Sequence, residues 1–193
     1  MSSRAWPLVS LAALLMTGCS SSESPATTSA KPAAVPIKTD GVDENSICQA
    51  ALTDAQQQAA GIEDTEPDSD KGEVSCYFLM TSDEDNPAGY VVSLFKNETA
   101  LLQVADATDS SPTKAVPMIL KGRTAARQVM YGATWRASFT VDIGAGQFLY
   151  IERYSPAHVV AEKDLNSQAR KVAGQVLGNL GKWRGQAGSA GGT

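Results

Sequence analysis

Histidine is almost absent from this chain, and with it most of the common routes to enzymatic catalysis. The 193 residues include one histidine, His158, which follows Ser155-Pro156-Ala157 in a segment typical of a loop or a helix start. The sequence also lacks a Gly-x-Ser-x-Gly elbow, a Ser-x-x-Lys pair and a His-Glu-x-x-His zinc motif. We therefore predict no catalytic residues, no cofactor and no metal ion.

Long apolar segments are missing as well. The longest apolar run, Ala5–Leu15, is too short for a membrane helix, which needs roughly 20 residues. It follows Arg4 and precedes Leu15-Met16-Thr17-Gly18-Cys19, a pattern typical of a lipoprotein signal peptide. We predict that residues 1–18 are removed and that Cys19 is lipidated, for example with palmitate. An ordinary secretory signal with an incidental cysteine is the alternative.

An acylated Cys19 would anchor the mature protein to the extracytoplasmic face of the cell membrane. Two acyl chains are sufficient for stable anchoring, and a lipobox cysteine normally receives at least two. Residues 19–41 are rich in Ser, Thr, Ala and Pro, which predicts a disordered tether with an average reach of about 25 Å. We expect a single domain over residues 42–184 and a disordered Gly/Ser tail over residues 185–193.

Cysteine is scarce, since the sequence contains only three. If Cys19 carries lipid, Cys48 and Cys76 remain as a pair in an exported chain, and such a pair predicts a disulfide. The loop that it closes is worth roughly 3–4 kcal/mol of stability. A zinc site is the alternative, but the neighbouring sequence supplies no histidine to complete it.

Charge is distributed unevenly along the chain. The segment from Asp40 to Ser110 contains 16 acidic and 2 basic residues, a net charge of −14, and the segment from Ser111 to Thr193 contains 4 acidic and 11 basic residues, a net charge of +7. We favour mutual neutralisation on folding. The alternative is a bipolar surface whose basic side meets anionic lipid headgroups or polymers. Nucleic acid is not an expected partner, because the sequence has no basic-aromatic motif.

Local patterns predict an α+β fold, in which helices pack on an antiparallel sheet of about five strands. Thr53-Asp54-Ala55-Gln56 matches a capping box, and Gly144-Ala145-Gly146 is suited to a hairpin turn. Apolar residues from Leu165 to Leu180 recur at the helical period. The predicted strands cover residues 74–81, 90–96, 115–120, 134–143 and 147–154, and the predicted helices cover residues 54–60, 98–107 and 165–180.

Aromatic residues concentrate in the predicted hairpin. We interpret them as core, with a groove for an apolar ligand or a peptide as the alternative. Trp183, after the last helix, is interpreted as a packing residue. One face of the hairpin consists of Trp135, Ala137, Phe139 and Val141, and we expect Phe148 and Tyr150 to join it.

Acidic residues cluster in two predicted loops, over Glu63–Glu73 and at Asp83-Glu84-Asp85. The segment Asp68-Ser69-Asp70-Lys71-Gly72 superficially matches a calcium loop. However, its glycine comes one position early, and Leu79 replaces the bidentate glutamate. We interpret both clusters as solvated. Paired carboxylates also serve glycoside hydrolysis, which leaves an envelope hydrolase as an alternative function.

Several of these segments together resemble a known family. The lipobox, the Ser/Pro tether, Cys48-Gln49-Ala50-Ala51-Leu52-Thr53-Asp54-Ala55-Gln56 and Cys76-Tyr77 are similar to actinobacterial lipoproteins classed as domain of unknown function number 3558. Members often carry a second cysteine pair in the later half, which this chain lacks. The resemblance implies an envelope location and an α+β fold, and it implies no substrate.

The functional prediction is a lipid-anchored extracytoplasmic binding or accessory domain of the bacterial cell envelope. Its expected partners are the membrane, through the lipid on Cys19, and an envelope protein or small ligand that the sequence does not name.

Overall fold

The computed structural model describes residues 34–70, 72–81, 87–97 and 115–183. Within these ranges, three helices accompany one antiparallel sheet of seven strands, in the order β1-β2-β3-β7-β6-β5-β4. The α+β prediction is therefore confirmed, but the expected number of about five strands is too low. The strands are β1 (Asp64–Asp70), β2 (Glu73–Leu79), β3 (Gly89–Phe95), β4 (Val116–Leu120), β5 (Arg123–Met130), β6 (Thr134–Gly144) and β7 (Gln147–Pro156), and the helices are α1 (Ile47–Ala51), α2 (Asp54–Ala60) and α3 (Glu162–Leu180).

The two strands that the sequence did not predict are β1 and β5. Strand β1 comes from the acidic segment that we interpreted as a loop, and it pairs with β2 from Asp64↔Leu79 to Asp70↔Glu73. Because β1 is an edge strand, its carboxylates reach water and Pro67 is tolerated. Strand β5, which had no assignment, pairs with both β4 and β6.

The helices lie on one face of the sheet and form the core with it. All seven apolar residues of the predicted stripe in α3 are buried, which confirms that helix. The capping box of α2 is present, and Gly61 ends the helix with a left-handed φ of 72°. The predicted disulfide is also present, and it joins Cys48 of α1 to Cys76 of β2. It therefore links the first helix to the sheet.

The β6–β7 hairpin forms as predicted, but Phe148 and Tyr150 do not lie on the face where we expected them. A regular ladder from Gly144↔Gln147 would pair Val141 with Tyr150. A bulge between Asp142 and Gly144 shifts the register by one residue, so that Val141 pairs with Leu149. Phe148 and Tyr150 consequently lie on the face away from the helices, opposite Asp142 and Thr140.

We expected the domain to start at Val42, but residues upstream of Val42 already pack against the sheet. Ile37 is buried, and its N–H donates to the Ile143 carbonyl at 2.9 Å. The Thr39 hydroxyl donates to the Gln147 side chain at 2.7 Å. The last residues of the predicted tether thus contact the β6–β7 turn.

Several predicted features lie outside the described residues. They are the signal peptide over residues 1–18, the lipidated Cys19, the helix over residues 98–107, the acidic group Asp83-Glu84-Asp85 and the tail over residues 185–193. Among the residues that are described, no helix is both long enough and apolar enough to cross a membrane.

Candidate anion-binding site

Strand β7 places a buried arginine in the middle of the helix-facing side of the sheet. Arg153 pairs with Tyr90 of β3 on one side and with Ala137 of β6 on the other. Successive side chains of a strand point to opposite faces, so Arg153 shares its face with the core residue Ile151. Its exposed fraction is only 3%. A positive charge therefore lies between the sheet and α3.

None of the polar partners found for this guanidinium among the described residues is a carboxylate. Nε donates to the Gln168 side-chain oxygen at 3.0 Å, and Nη1 donates to the carbonyls of Gly89, at 3.2 Å, and Tyr154. The guanidinium carbon also lies 5.1 Å from the centre of the Tyr90 ring. These three bonds use three of the five N–H groups of an arginine. Both of the others belong to Nη2, and the Tyr90 hydroxyl is a further hydrogen-bond partner of the guanidinium.

The electrostatic consequence appears in the pKa of Arg153. Burial lowers this pKa from its ordinary value, because the charged form loses hydration, and the hydroxyls of Tyr90 and Tyr154 offset part of the effect. A buried charge is costly unless an opposite charge or several hydrogen bonds compensate it. The described residues compensate this charge with carbonyl groups, the Gln168 amide and the ring and hydroxyl of Tyr90, none of which is a carboxylate. An anion in contact with the guanidinium would therefore be a favourable further partner.

A cavity of about 320 Å³ opens beside Arg153, between α2, α3 and the sheet. Among the described residues that line it, none is acidic, and the charged ones are Arg153 and Lys171. The other lining residues are Gln56, Ala59, Ala60, Met80, Tyr90, Val160, Gln168, Val172 and Gln175.

Two of the glutamines in the wall offer mainly hydrogen-bond donors. The Gln56 oxygen already accepts from the Thr53 N–H at 2.9 Å and from the Asn179 amide at 2.7 Å. The Gln168 oxygen accepts from Arg153. Their NH₂ groups can donate to a ligand, as can the ammonium of Lys171. The cavity therefore suits a ligand with acceptor oxygens and a negative charge.

The capping box holds one wall of this cavity in place. Gln56 is fixed by Thr53 at the start of α2, and Asn179 of α3 also donates to the Ala51 carbonyl at 2.8 Å. The side chain of Asn179 thus connects the end of α3 to both shorter helices. The disulfide of Cys48 also links α1 to β2, which belongs to the same sheet as the strand that carries Arg153.

The chain was compared with protein-family models and with curated proteins. No family model matches the chain, and no curated protein matches it.

Among the residues singled out in the sequence, Gln56 of the capping box lines this cavity, whereas His158, Trp135 and Trp183 do not. His158 is exposed in the loop after β7, and its ring lies 4.8 Å from that of Trp135. Trp135 also contacts Tyr131 edge-on at 5.5 Å. Trp183 packs against the core, as we interpreted it. Within the described ranges, no group of three or more His, Cys, Asp or Glu residues is placed to hold a metal ion.

Sequence reasoning missed Arg153, although β7 contains a signal. Glu152 and Arg153 are adjacent in a strand, so at most one of them can point to a solvated face. In the structure both are 3% exposed. Two adjacent opposite charges inside a predicted strand are therefore a signal for a buried polar site when that strand proves to be central in the sheet.

On the opposite face of the sheet, the buried charge of Glu152 has protein partners. The Glu152 carboxylate accepts from Arg136 at 3.2 Å and from the Tyr150 hydroxyl. Burial, followed by the adjacent Glu152 carboxylate, raises the pKa of Tyr150 well above its ordinary value. Glu152 thus has a cationic partner among the described residues, which distinguishes it from Arg153.

Proposed function

We propose that this chain is a lipid-anchored extracytoplasmic binding domain of the bacterial cell envelope, similar to the actinobacterial lipoproteins named above. Its ligand is a small molecule that carries an oxyanion, either a carboxylate or a phosphate, held in the cavity beside Arg153. The lipobox at Cys19 supports the anchor, and the Cys48–Cys76 disulfide fits an oxidising compartment. The observation that carries the proposal is the buried guanidinium of Arg153, to which the described residues supply no carboxylate partner.

The chemistry of the cavity favours binding over catalysis. Its polar groups are cations and amide donors, which stabilise an anion. Its apolar groups, Met80, Val160 and Val172 among them, can contact the uncharged part of the same ligand. A volume of about 320 Å³ lies at the lower end of the range for small-molecule sites. We therefore expect a compact ligand with one charged end.

Titration of the purified protein with oxyanions tests this proposal. Inorganic phosphate, acetate and benzoate should raise the melting temperature in a saturable way, because a ligand that binds only the folded state stabilises it. Sodium chloride at equal ionic strength is the control for screening. Benzoate should act at lower concentration than acetate, since its ring can contact the apolar wall.

Variants locate the effect in the cavity. Arg153→Met should abolish the ligand-dependent shift, and Lys171→Met should weaken it. Lys182→Met removes an exposed cation of the segment after α3, which does not line the cavity, and should leave the shift unchanged. If Arg153→Met does not fold, Lys171→Glu places a carboxylate at the cavity and should compete with the ligand. Equal shifts in wild type and both Lys171 variants would contradict the site.

The anchor is tested independently of the cavity. Intact-mass analysis of protein from native membranes should show an amino terminus at Cys19 carrying acyl groups. Replacing Cys19 by Ser should release the protein from the membrane fraction. An unmodified Cys19 in native material would remove the anchor from the proposal and leave the cavity untouched.

A further inference from the structure

The two outer edges of the sheet carry opposite charge. Strand β1 exposes four carboxylates at one edge, and β4 and β5 lie at the other, six strand spacings or about 29 Å away. The four carboxylates of β1 and the arginines of β5 therefore lie on opposite sides of the sheet, although the acidic and basic parts of the sequence meet where β3 pairs with β7. Among the described residues, the sheet thus carries unlike charges towards its two edges.

Cations surround two grooves between α3 and the β4–β5 edge. One groove, of about 650 Å³, is lined by Lys121, Arg170 and Lys171, and the other, of about 420 Å³, by Arg127, Lys163 and Arg170. Both linings include Ser167 and Arg170, so the two grooves adjoin. Neither lining includes an acidic residue from the described part of the chain. This edge is therefore suited to several negative charges at once.

Apolar side chains are exposed on the same edge strand. Val116 is 47% exposed and Ile119 is 54% exposed, on opposite faces of β4. Cations beside exposed aliphatic groups are typical of a surface that rests on lipid, where the charges meet headgroups and the apolar groups enter the interface. A soluble anionic polymer would use the cations and would gain little from Val116 or Ile119.

The chain that leads towards Cys19 also arrives at this edge. The Arg123 guanidinium of β5 donates to the Val35 carbonyl and, at 3.3 Å, to the Ile143 carbonyl. Fifteen residues lie between Cys19 and Val35, and this stretch spans at most about 55 Å when fully extended. An anchor at Cys19 would thus allow the β4–β5 edge to reach the membrane, and the charge of that edge favours it over the acidic β1 edge.

We propose that the basic edge, meaning Val116, Ile119, Lys121, Arg127, Lys163 and Arg170, docks onto anionic lipid headgroups of the membrane. The assignment of that membrane as the one that holds Cys19 rests on the proposed function. The contact itself needs only the folded domain. It orients the domain and leaves the cavity beside Arg153 on the helix side of the sheet.

Co-sedimentation with lipid vesicles tests the contact, with the full chain carrying Cys19→Ser so that no acyl chain contributes. Vesicles with about 30% phosphatidylglycerol should bind the protein at about 0.1 M salt, and phosphatidylcholine vesicles should not. The variant Lys163→Glu/Arg170→Glu should weaken binding by at least about tenfold. The matched control, Lys96→Glu/Lys182→Glu, makes the same change in net charge at other exposed sites and should stay within about twofold of wild type.

A second variant separates lipid from a soluble polyanion. Val116→Ser/Ile119→Ser should weaken vesicle binding and leave binding to soluble polyphosphate unchanged. Equal binding to both vesicle types, or equal loss in the two charge-reversal variants, would overturn the proposal. Binding to polyphosphate without binding to vesicles would also overturn it, in favour of a polymer. None of these outcomes depends on acylation of Cys19 or on oxyanion binding beside Arg153.

Discussion

Two adjacent residues of β7 bury opposite charges on opposite faces of the sheet. Glu152 meets the Arg136 guanidinium and the Tyr150 hydroxyl. Arg153 meets carbonyl oxygens, one amide and the Tyr90 ring, and the described residues give it no carboxylate. A strand side chain cannot cross the sheet to reach its neighbour, so the two charges cannot pair with each other. This separation explains why Glu152 does not neutralise Arg153.

Tyr150, which donates its hydroxyl to Glu152, should make the protein less stable at alkaline pH. In the unfolded chain Tyr150 ionises near pH 10, whereas burial and Glu152 raise its pKa in the folded state. The unfolded state therefore releases this proton first as the pH rises. Its contribution to stability is complete below about pH 10 and is lost towards the folded-state pKa. We expect the urea midpoint to fall as the pH rises above about 10.

Substitution identifies the part of this fall that belongs to Tyr150. Tyr150→Phe cannot ionise and should show a shallower fall than wild type. Tyr131→Phe is the control, because Tyr131 is largely exposed and its raised pKa arises first from a hydrogen bond with Glu162. If Tyr150→Phe has the slope of wild type and Tyr131→Phe does not, burial of Tyr150 is not the cause.

At the scale of elements, the sequence predicted those parts whose pattern is complete within one segment. The helix α3 has its whole apolar stripe in one run, and α2 has its capping box within four residues. Strand β1 was missed because Asp64–Asp70 contains four carboxylates and a proline, which local propensity assigns to a loop. Only its place at the edge of the sheet makes that composition acceptable, and the edge is a property of the whole fold.

The candidate site was less predictable than the fold for a related reason. The cavity takes residues from α2, β3, β7 and α3, and Tyr90 and Arg153 are 63 positions apart in sequence. The pair Glu152-Arg153 is a local signal for a buried polar site in β7 that our prediction did not use. The cationic partner of Glu152 lies in β6, and most partners of Arg153 lie in β3 and α3, so neither set could be read from one segment.

The Cys48–Cys76 disulfide, which links α1 to the sheet, should contribute to the stability of the fold. Replacing Cys48 and Cys76 by Ala should lower the free energy of unfolding by about 2–4 kcal/mol, because the loop between them becomes free in the unfolded chain. Urea unfolding in a Cys19→Ser background measures this change without mispaired thiols. Wild type under reducing conditions should match the double variant. An unchanged midpoint in both would show that the disulfide adds no stability.

At the scale of the whole molecule, the described residues place unlike charges towards the two edges of the sheet. The basic edge at β4 and β5 and the arrival of the chain at Val35 coincide, while the acidic strand β1 lies at the far edge. Composition gave the two net charges but could not place them, since strand order is a long-range property. The sheet topology is therefore what makes the charge asymmetry directional.

Ile37, upstream of the predicted start of the domain, should contribute to stability. Ile37 is 7% exposed and donates its N–H to Ile143, whereas Val35, two residues earlier, is 80% exposed. Ile37→Ala should therefore lower the free energy of unfolding by about 2–4 kcal/mol, since it removes buried apolar groups and leaves a cavity. Val35→Ala, the matched control, should change it by less than about 0.5 kcal/mol, because only its backbone carbonyl is used by Arg123. Urea unfolding of both variants measures the difference. Equal stabilities would place the domain boundary after Ile37, where composition alone had placed it.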